Sequence, residues 1–244
     1  LTVSNNLFID DNTELNASGN NYDVTIGGDF TLGSTNTSDA AYITQNNTTT
    51  FNGEKNSLIT IANGSQTLDF HDLIVNKTAS EYQVSFSSLG NTVANIANNI
   101  RVERGVLDYG SHLININNNV FVQDTLGRPS STGRIILNGS STQTIESSNL
   151  GSPYIGHAEL NNGSGGQLNG DSYFGKFTLT NGIMNIGEDL MSVDDDEILS
   201  ANTFSSSLMI KTAGNASDKG LQYNFSLSGD YPGKTIVYPV GSDD

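Results

Sequence analysis

Residues 105–122, GVLDYGSHLININNNVFV, return 77 residues later at 182–199 as GIMNIGEDLMSVDDDEIL. The copies share the leading Gly, an apolar pair, an Asp or Asn, a second Gly, a Leu and the apolar alternation that follows. A looser copy runs over 15–30, LNASGNNYDVTIGGDF, with one residue inserted after Gly19. Self-similarity of this length in a polar sequence is the mark of a repeat architecture.

A second recurring element lies between these copies. Residues 50–61 read TFNGEKNSLITI and 135–145 read IILNGSSTQTI, each an apolar strand running into Asn-Gly and then another strand. Each is followed by a short apolar segment ending in Asn, FHDLIVN at 70–76 and YIGHAELN at 154–161. The period of about 77 to 86 residues fits three or four coils of roughly 20 to 25 residues.

Apolar and polar residues alternate at period two, and Asn-Gly or Gly-Ser clusters interrupt them at short intervals, so strands and turns are expected throughout. Strands are expected at 22–26, 41–44, 58–61, 73–76, 82–86, 100–103, 106–109, 113–116, 134–137, 177–180, 183–186 and 208–211. A coil of that size must order more backbone than its few buried side chains can offset. Only the next coil can cover it, and the expected fold is therefore all-β, a right-handed parallel β-helix (β-solenoid) over residues 1–219. From Gly220 the pattern changes to longer strands with more aromatics and two of the four prolines. Residues 220–244 are expected to cap the solenoid or to begin a following β domain, because an open end would offer a sticky edge. At the corners, Asn117, Asn118 and Asn119 are expected to turn the chain with left-handed backbone angles and to ladder between coils. Gly27 and Gly28 take the turning role in the first copy and Asp194 to Asp196 in the last.

Composition narrows the function. Hydrophobic residues make up 35% of the chain and Trp is absent, which argues against one large globular core. Regular runs of Val, Ile, Leu and Phe argue equally against disorder. The net charge of −16 argues against nucleic acid, which demands a basic face. No apolar run approaches the roughly 20 residues that span a bilayer, so no membrane insertion is expected. The absence of Cys removes disulfides and thiolate metal sites and, for an exported protein, points to a bacterial source. The first residue is Leu and the chain stops at GSDD, which reads as a piece of a longer, processed protein.

The cycle of Phe/Leu-Asn-Gly, Gln-Thr, an F-x-x-L-x-V-x-N-like segment and G-x-L-x-x-G-x-x-L-x-I-x-x-N resembles the repetitive β-helical regions of large cell-surface, adhesin-like proteins of the Bacteroidetes. TIVYPVGSDD at 235–244 is similar to the F/Y-P-V-G segment that follows such regions there. The resemblance covers nearly the whole chain and rests on structural motifs. It implies secretion by the type IX system, an extracellular or cell-surface location and a role in adhesion or gliding, and it carries over no catalytic residue.

Asp194, Asp195, Asp196 and Glu197 are the candidate metal ligands, with Ca²⁺ as the cation that so many oxygens suit. Alternate strand residues face opposite ways, so the run reads first as a solvated turn replacing the Asn triplet. Thr125, in Asp124-Thr125-Leu126, matches the O-glycosylation pattern of the resembled group. His71, His112 and His157 are scattered; His71 and His157 hold corresponding places in the second repeat, which suggests stacked surface positions. Arg101, Glu103 and Arg104 form the one compact basic group, and Arg101 and Glu103 would share an outer face with Val102 pointing inward. A lyase on this fold needs acids holding Ca²⁺ beside a basic residue, and an inverting hydrolase needs two carboxylates spaced to admit water. The polygalacturonase-type motifs, nucleophile elbows and phosphate loops are absent. Ice binding would need Thr ranked once per coil, which the Thr-rich stretches at 48–50 and 142–144 do not suggest.

The sequence therefore predicts a non-enzymatic segment of a secreted bacterial surface protein, an adhesin-like stalk or passenger. Glycans or surfaces are the expected partners, with Tyr42, Tyr82 and Tyr154 as the first candidates for sugar stacking. No resident cofactor is expected beyond Ca²⁺ at the acidic run. The competing expectations are a β-helix polysaccharide lyase or glycoside hydrolase and a cargo of the secretion machinery.

Overall fold

The computed structural model describes residues 1–33, 41–61, 67–88, 93–129, 132–148, 153–194, 198–199, 203–224 and 238–241. Among them are 28 strands and no helix. Every strand pairing is parallel; one isolated antiparallel bridge joins Ser205 and Leu208. The chain is a parallel β-solenoid with three faces.

Face 1 stacks β1 (Thr2–Val3), β4 (Val24–Ile26), β7 (Thr48–Phe51), β10 (Asp72–Asn76), β13 (Ile100–Arg104) and β16 (Val120–Val122). It continues through β19 (Gln143–Ser147), β21 (Gly166–Asn169), β23 (Met184–Gly187), β26 (Ile210–Thr212) and β28 (Val240–Gly241). Face 2 carries β2 (Leu7–Ile9), β5 (Phe30–Leu32), β8 (Ser57–Ile61), β11 (Gln83–Ser88), β14 (Val106–Asp108), β17 (Thr125–Leu126), β24 (Met191–Asp194) and β27 (Leu221–Asn224). Face 3 carries β3 (Glu14–Asn16), β6 (Ala41–Ile43), β9 (Leu68–Phe70), β12 (Val93–Ile96), β15 (Leu113–Ile116), β18 (Arg134–Leu137) and β25 (Ile198–Leu199). Two long strands, β20 (Tyr154–Asn161) and β22 (Ser172–Asn181), run through the corner between faces 2 and 3 and serve both.

The period-two pattern builds this arrangement directly. Inward positions form ladders that climb the rod, such as Val84, Leu107, Leu126, Ile155, Phe174 and Val193 on face 2, all 0% exposed. Each coil's apolar residues are sealed by the coils on either side, which is why no coil needs a core of its own. A turn takes from 18 residues, where Gly166 lies beside Met184, to 30, where Ile210 lies beside Val240. The described parts of 220–244 add β27 and β28 to faces 2 and 1; residues 225–237 and 242–244 lie outside the described residues.

The copies found in the sequence do not occupy the same face. The first strand of each is β3 on face 3, β14 on face 2 and β23 on face 1. Counting β20 and β22 once for each face, eleven strand steps separate successive copies. Eleven is three whole turns and two faces more, so each copy starts one face early. What repeats is a unit of strand and corner, and its backbone repeats with it. Gly105 and Gly182 have φ of 97° and 94°, and Gly110 and Gly187 have 54° and 57°, all in the left-handed region that favours Gly. In both copies an Asx side chain two residues earlier, Asp108 or Asn185, accepts the N–H of that second Gly at 2.9 and 3.1 Å.

The corners correct the sequence reading. Among the described residues only Asn12 and Asn21 are non-glycines with positive φ, so Asn117, Asn118 and Asn119 do not turn the chain by left-handed angles. Asn118 and Asn119 act through the ladder, while Asn117 is exposed and its N–H bonds the Ile96 carbonyl. Asn118 donates to Asn98 at 2.7 Å, Asn98 donates to Asp72 at 2.9 Å, and Asn99 accepts the Asn119 N–H at 3.1 Å. Nor is positive φ the reason for Gly27 and Gly28. A Cβ there would stand 2.3 Å from the Ser4 carbonyl oxygen and from Asn6 Oδ1, so the glycines let the coils approach. Asp194 is the last residue of strand β24; Asp195 and Asp196 lie outside the described residues.

Candidate functional site

The corner ladders draw on Asp and Asn alike, with Asp23, Asp29, Asp72 and Asp171 as their acidic members. Where face 3 passes to face 1, Asp23, Asp72, Asn99 and Asn119 accept, in turn, the backbone N–H of Thr48, Asn99, Asn119 and Thr144 in the next coil, at 2.8 to 3.1 Å. Where face 1 passes to face 2, Asn6, Asp29, Asn56 and Asp171 do the same for Asp29, Leu58, Gln83 and Leu190, at 2.9 to 3.0 Å. Asp and Asn are interchangeable here because only the side-chain oxygen is used. The signal was legible as an Asx just ahead of each strand at intervals of one coil.

Of the candidate cation ligands, Asp194 accepts a hydrogen bond from the Tyr173 hydroxyl. Asp195, Asp196 and Glu197 lie outside the described residues. Among the described residues no three His, Cys, Asp or Glu side chains are grouped to hold a metal ion. Thr125 opens β17 half-buried, with its hydroxyl 3.4 Å from Asp124 Oδ1, while Asp124 Oδ2 accepts the Gly105 N–H at 2.8 Å.

The histidines are not stacked on one another. His71 stands at the corner between β9 and β10 with Nδ1 2.8 Å from Asp72 Oδ2, and His112 is buried with Nδ1 2.9 Å from the Tyr109 carbonyl. His157 lies in β20, its Nε2 2.8 Å from the Thr178 hydroxyl. Burial pushes the His157 imidazole down to about 4, with Lys176 and Arg134 adding to the shift and Glu159 opposing it. Arg101 and Glu103 face outward 3.8 Å apart around the buried Val102, as the alternation implies, and Arg101 sits over the Phe121 ring at 4.4 Å. A grouping that the sequence did not single out joins Arg134, His157 and Glu159 on face 3. Arg134 Nε bonds Glu159 Oε2, whose other oxygen accepts the Thr180 hydroxyl at 2.8 Å. Glu159 is 7% exposed and fully engaged.

The aromatic candidates separate. Tyr42 is 7% exposed and packs against Phe30 and Phe70 with ring centroids 5.5 and 6.1 Å away. Its hydroxyl meets Thr49 Oγ1 at 2.7 Å, so it belongs to the core and is no stacking platform. Tyr82 is half-buried at a corner. Tyr154 instead has an aligned partner one coil on, Tyr173, with ring centroids 5.4 Å apart. Both are half-buried on face 2 beside Thr125, which is in register with Tyr154. Burial and the adjacent Asp194 carboxylate push the Tyr173 hydroxyl up to about 12. Tyr173 was missed because the sequence was read in long copies. The short one is plain in three consecutive coils: Thr125-Leu126-Gly127, Tyr154-Ile155-Gly156 and Tyr173-Phe174-Gly175.

The glycines of this triplet make the corner. A Cβ on Gly156 would stand 2.6 Å from the Tyr109 hydroxyl, and one on Gly175 would stand 2.2 Å from the Tyr154 hydroxyl. Tyr109, 0% exposed, threads past Gly127 and Gly156; its hydroxyl accepts the His157 N–H at 2.5 Å and donates to the His157 carbonyl at 3.1 Å. Tyr154 lies across Gly175. Gly127 and Gly156 are buried and Gly175 is half-buried, so the outcome is a close-packed column of glycines with the Tyr154 and Tyr173 rings beside it. Thr2, Thr25 and Thr50 also align once per coil on face 1, a ranking the sequence reading did not expect, but the column continues as Ile74, Arg101 and Phe121. The sequence matches no protein-family profile and no curated protein, and the fold matches no solved structure.

Proposed function

We propose that this chain is a stalk or passenger segment of a secreted bacterial surface protein of the adhesin-like kind, which touches glycans along its flank and performs no chemistry on them. The observation that carries the reading is the pair of outward tyrosines, Tyr154 and Tyr173, 5.4 Å apart beside a glycine strip. Aromatic faces of this kind suit the C–H faces of sugar rings, and the flanking Thr125, Asp194 and Asn224 supply hydroxyl, carboxylate and amide groups for the sugar hydroxyls. The engagement of Glu159 by Arg134 and Thr180, and of Asp23, Asp29, Asp72 and Asp171 as ladder acceptors, supports the non-catalytic half of the reading. A glycan-array screen, run with and without Ca²⁺, should find binding that the double substitution Tyr154→Ala, Tyr173→Ala lowers at least tenfold. Undiminished binding by that variant, with an unchanged melting temperature, would sink the reading.

A polysaccharide lyase or hydrolase is the second reading, favoured by the Arg134, His157 and Glu159 grouping on one outer face. Against it, Glu159 is spent on Arg134 and Thr180. Release of reducing ends from a polysaccharide panel, lost in Glu159→Gln, would make it the better one.

A further inference from the structure

Tyr154 and Tyr173 share more than a flank. They are in register on β20 and β22, neighbouring parallel strands ~4.8 Å apart, with ring centroids 5.4 Å apart and planes tilted by 43°. Both rings also lean the same way. The Tyr154 hydroxyl passes over Gly175, two residues beyond its in-register partner Tyr173. The Tyr173 hydroxyl reaches Asp194, two residues beyond its own partner Ser192. Two phenols displaced by one coil and inclined alike lie side by side, which brings together the ring edges that carry the hydroxyls. Gly175 permits it, since a Cβ there would stand 2.2 Å from the Tyr154 hydroxyl. Among the described residues one other tyrosine pair is in ring contact, and it is arranged differently. Tyr223 and Tyr238 have centroids 4.8 Å apart with planes at 76°, so the edge of one ring points at the face of the other.

Tyr173 carries a second qualification. Its hydroxyl donates to the Asp194 carboxylate, which places a base at the phenol oxygen. Burial, and then Asp194, pushes this hydroxyl up to about 12, so Tyr173 meets an oxidant as the neutral phenol. A neutral phenol yields an electron readily only when its proton leaves with it, and Asp194 is positioned to take that proton. Tyr173 is therefore the ring on which a radical forms first, and Tyr154 is the ring beside it. Both are half-buried and so reachable from solvent.

We infer that Tyr154 and Tyr173 are a dityrosine cross-linking site, a covalent staple between consecutive coils made by a peroxidase-type one-electron oxidant that draws on hydrogen peroxide. Each phenol gives up one electron and its hydroxyl proton, Tyr173 to Asp194 and Tyr154 to solvent. The two phenoxyl radicals couple at carbons ortho to oxygen and form one C–C bond. The hydrogen on each joined carbon then moves to oxygen, which restores two phenols. The net loss is two electrons and two protons, which convert one hydrogen peroxide into two waters. Such a staple removes chain entropy from the unfolded state as a disulfide does, in a chain that has no Cys. It uses the two rings of the glycan reading but does not rest on it.

The test treats the folded chain, dilute, with a haem peroxidase and hydrogen peroxide. The monomer should gain the blue fluorescence of dityrosine, lose the mass of two hydrogens, give a peptide map that joins the segments holding Tyr154 and Tyr173, and melt at a higher temperature. Tyr154→Phe and Tyr173→Phe should each abolish the product. Asp194→Asn, which keeps a hydrogen-bond acceptor but removes the base, should slow its formation at least about tenfold. The inference is overturned by a monomer without the fluorescence, by a product that joins other tyrosines or separate molecules, by a product that survives either Phe substitution, or by a rate indifferent to Asp194→Asn. The Phe variants keep both rings for a sugar, so loss of the cross-link with glycan binding intact assigns the two roles separately. Cross-linking in a chain that binds no glycan upholds this inference and sinks the other reading alone.

Discussion

Two corners of the same rod solve the same problem by opposite means. Where face 3 meets face 1, four coils hand a backbone N–H to an Asp or Asn of a neighbour, and from Asp72 through Asn99 and Asn119 these form a column of separate polar links. Where face 2 meets face 3 in the later coils, the strands β20 and β22 run straight through. A single buried Tyr109 replaces the column by reaching the coil 48 residues ahead. The first design is divisible and the second is concentrated. Damage to a ladder should therefore stay local, whereas damage at Tyr109 should loosen several coils together, because one side chain serves them all.

The largest effect should come from breaking the concentrated corner. Tyr109→Ala removes a fully buried aromatic and leaves the His157 N–H without its acceptor, at a cost of about 3 to 5 kcal/mol, read by chemical denaturation. Gly156→Ala places a methyl against the Tyr109 hydroxyl and should cost about 1 to 3 kcal/mol by overpacking. The two sites share one space. In a Tyr109→Phe background, where the hydroxyl is gone, Gly156→Ala should cost measurably less, and simple additivity in that cycle would show that the glycine is conserving room for something else.

This contrast also sets what the sequence could reveal. Period-two alternation exposed strands such as Leu113–Ile116 and Arg134–Leu137 to the residue, because inward positions must be apolar whatever the corners do. The stacking of coils was legible from the same alternation plus the repeated Gly-containing units. The face on which each copy lands was not, since it depends on the number of strands between copies, and β20 and β22 conceal two segments inside one run. The corners misled for a related reason: Asn next to a strand suggests left-handed backbone, yet here its side-chain oxygen is wanted by the next coil. Tyr42 and Tyr154 look alike in sequence, and only Gly175, 21 residues beyond Tyr154, tells that the second has open space over the next coil while the first is enclosed by Phe30 and Phe70.

A smaller effect is expected from the divisible corner. Asn119→Ala removes one acceptor from the Thr144 N–H and should cost about 0.5 to 1.5 kcal/mol. Hydrogen exchange should quicken at Thr144 and its immediate neighbours while Leu73 and Leu168, on the same face, keep their protection. Exchange that quickened along the whole of face 1 would mean that the ladder behaves as one cooperative unit, and the contrast with Tyr109 would be lost.

Acid should act at different pH on the Tyr109 corner and on a ladder acceptor at the corner between faces 1 and 2, an effect that vanishes at neutrality. His157, beside the concentrated corner, is held neutral with its pKa lowered to about 4 by burial, then by Lys176 and Arg134. The unfolded chain takes up that proton near the ordinary value of about 6.5, so it binds more protons than the folded chain between about 6.5 and 4. Stability from this group is complete above that window and declines as pH falls through it. Asp171, a ladder acceptor, is displaced in the sense typical of a paired carboxylate. Burial pushes it up, but the Leu190 N–H and Lys219 outweigh burial and leave it below its usual value, so its contribution is lost only as pH falls through that lower value. Melting temperature recorded from pH 7 to 3 should therefore decline first in the His157 window, and His157→Gln, which keeps a partner for Thr178, should flatten that first decline and leave the later one. A His157→Gln profile parallel to the unsubstituted one would mean that the imidazole takes its proton in the folded rod, and that the corner around Tyr109 is wetter than its burial implies.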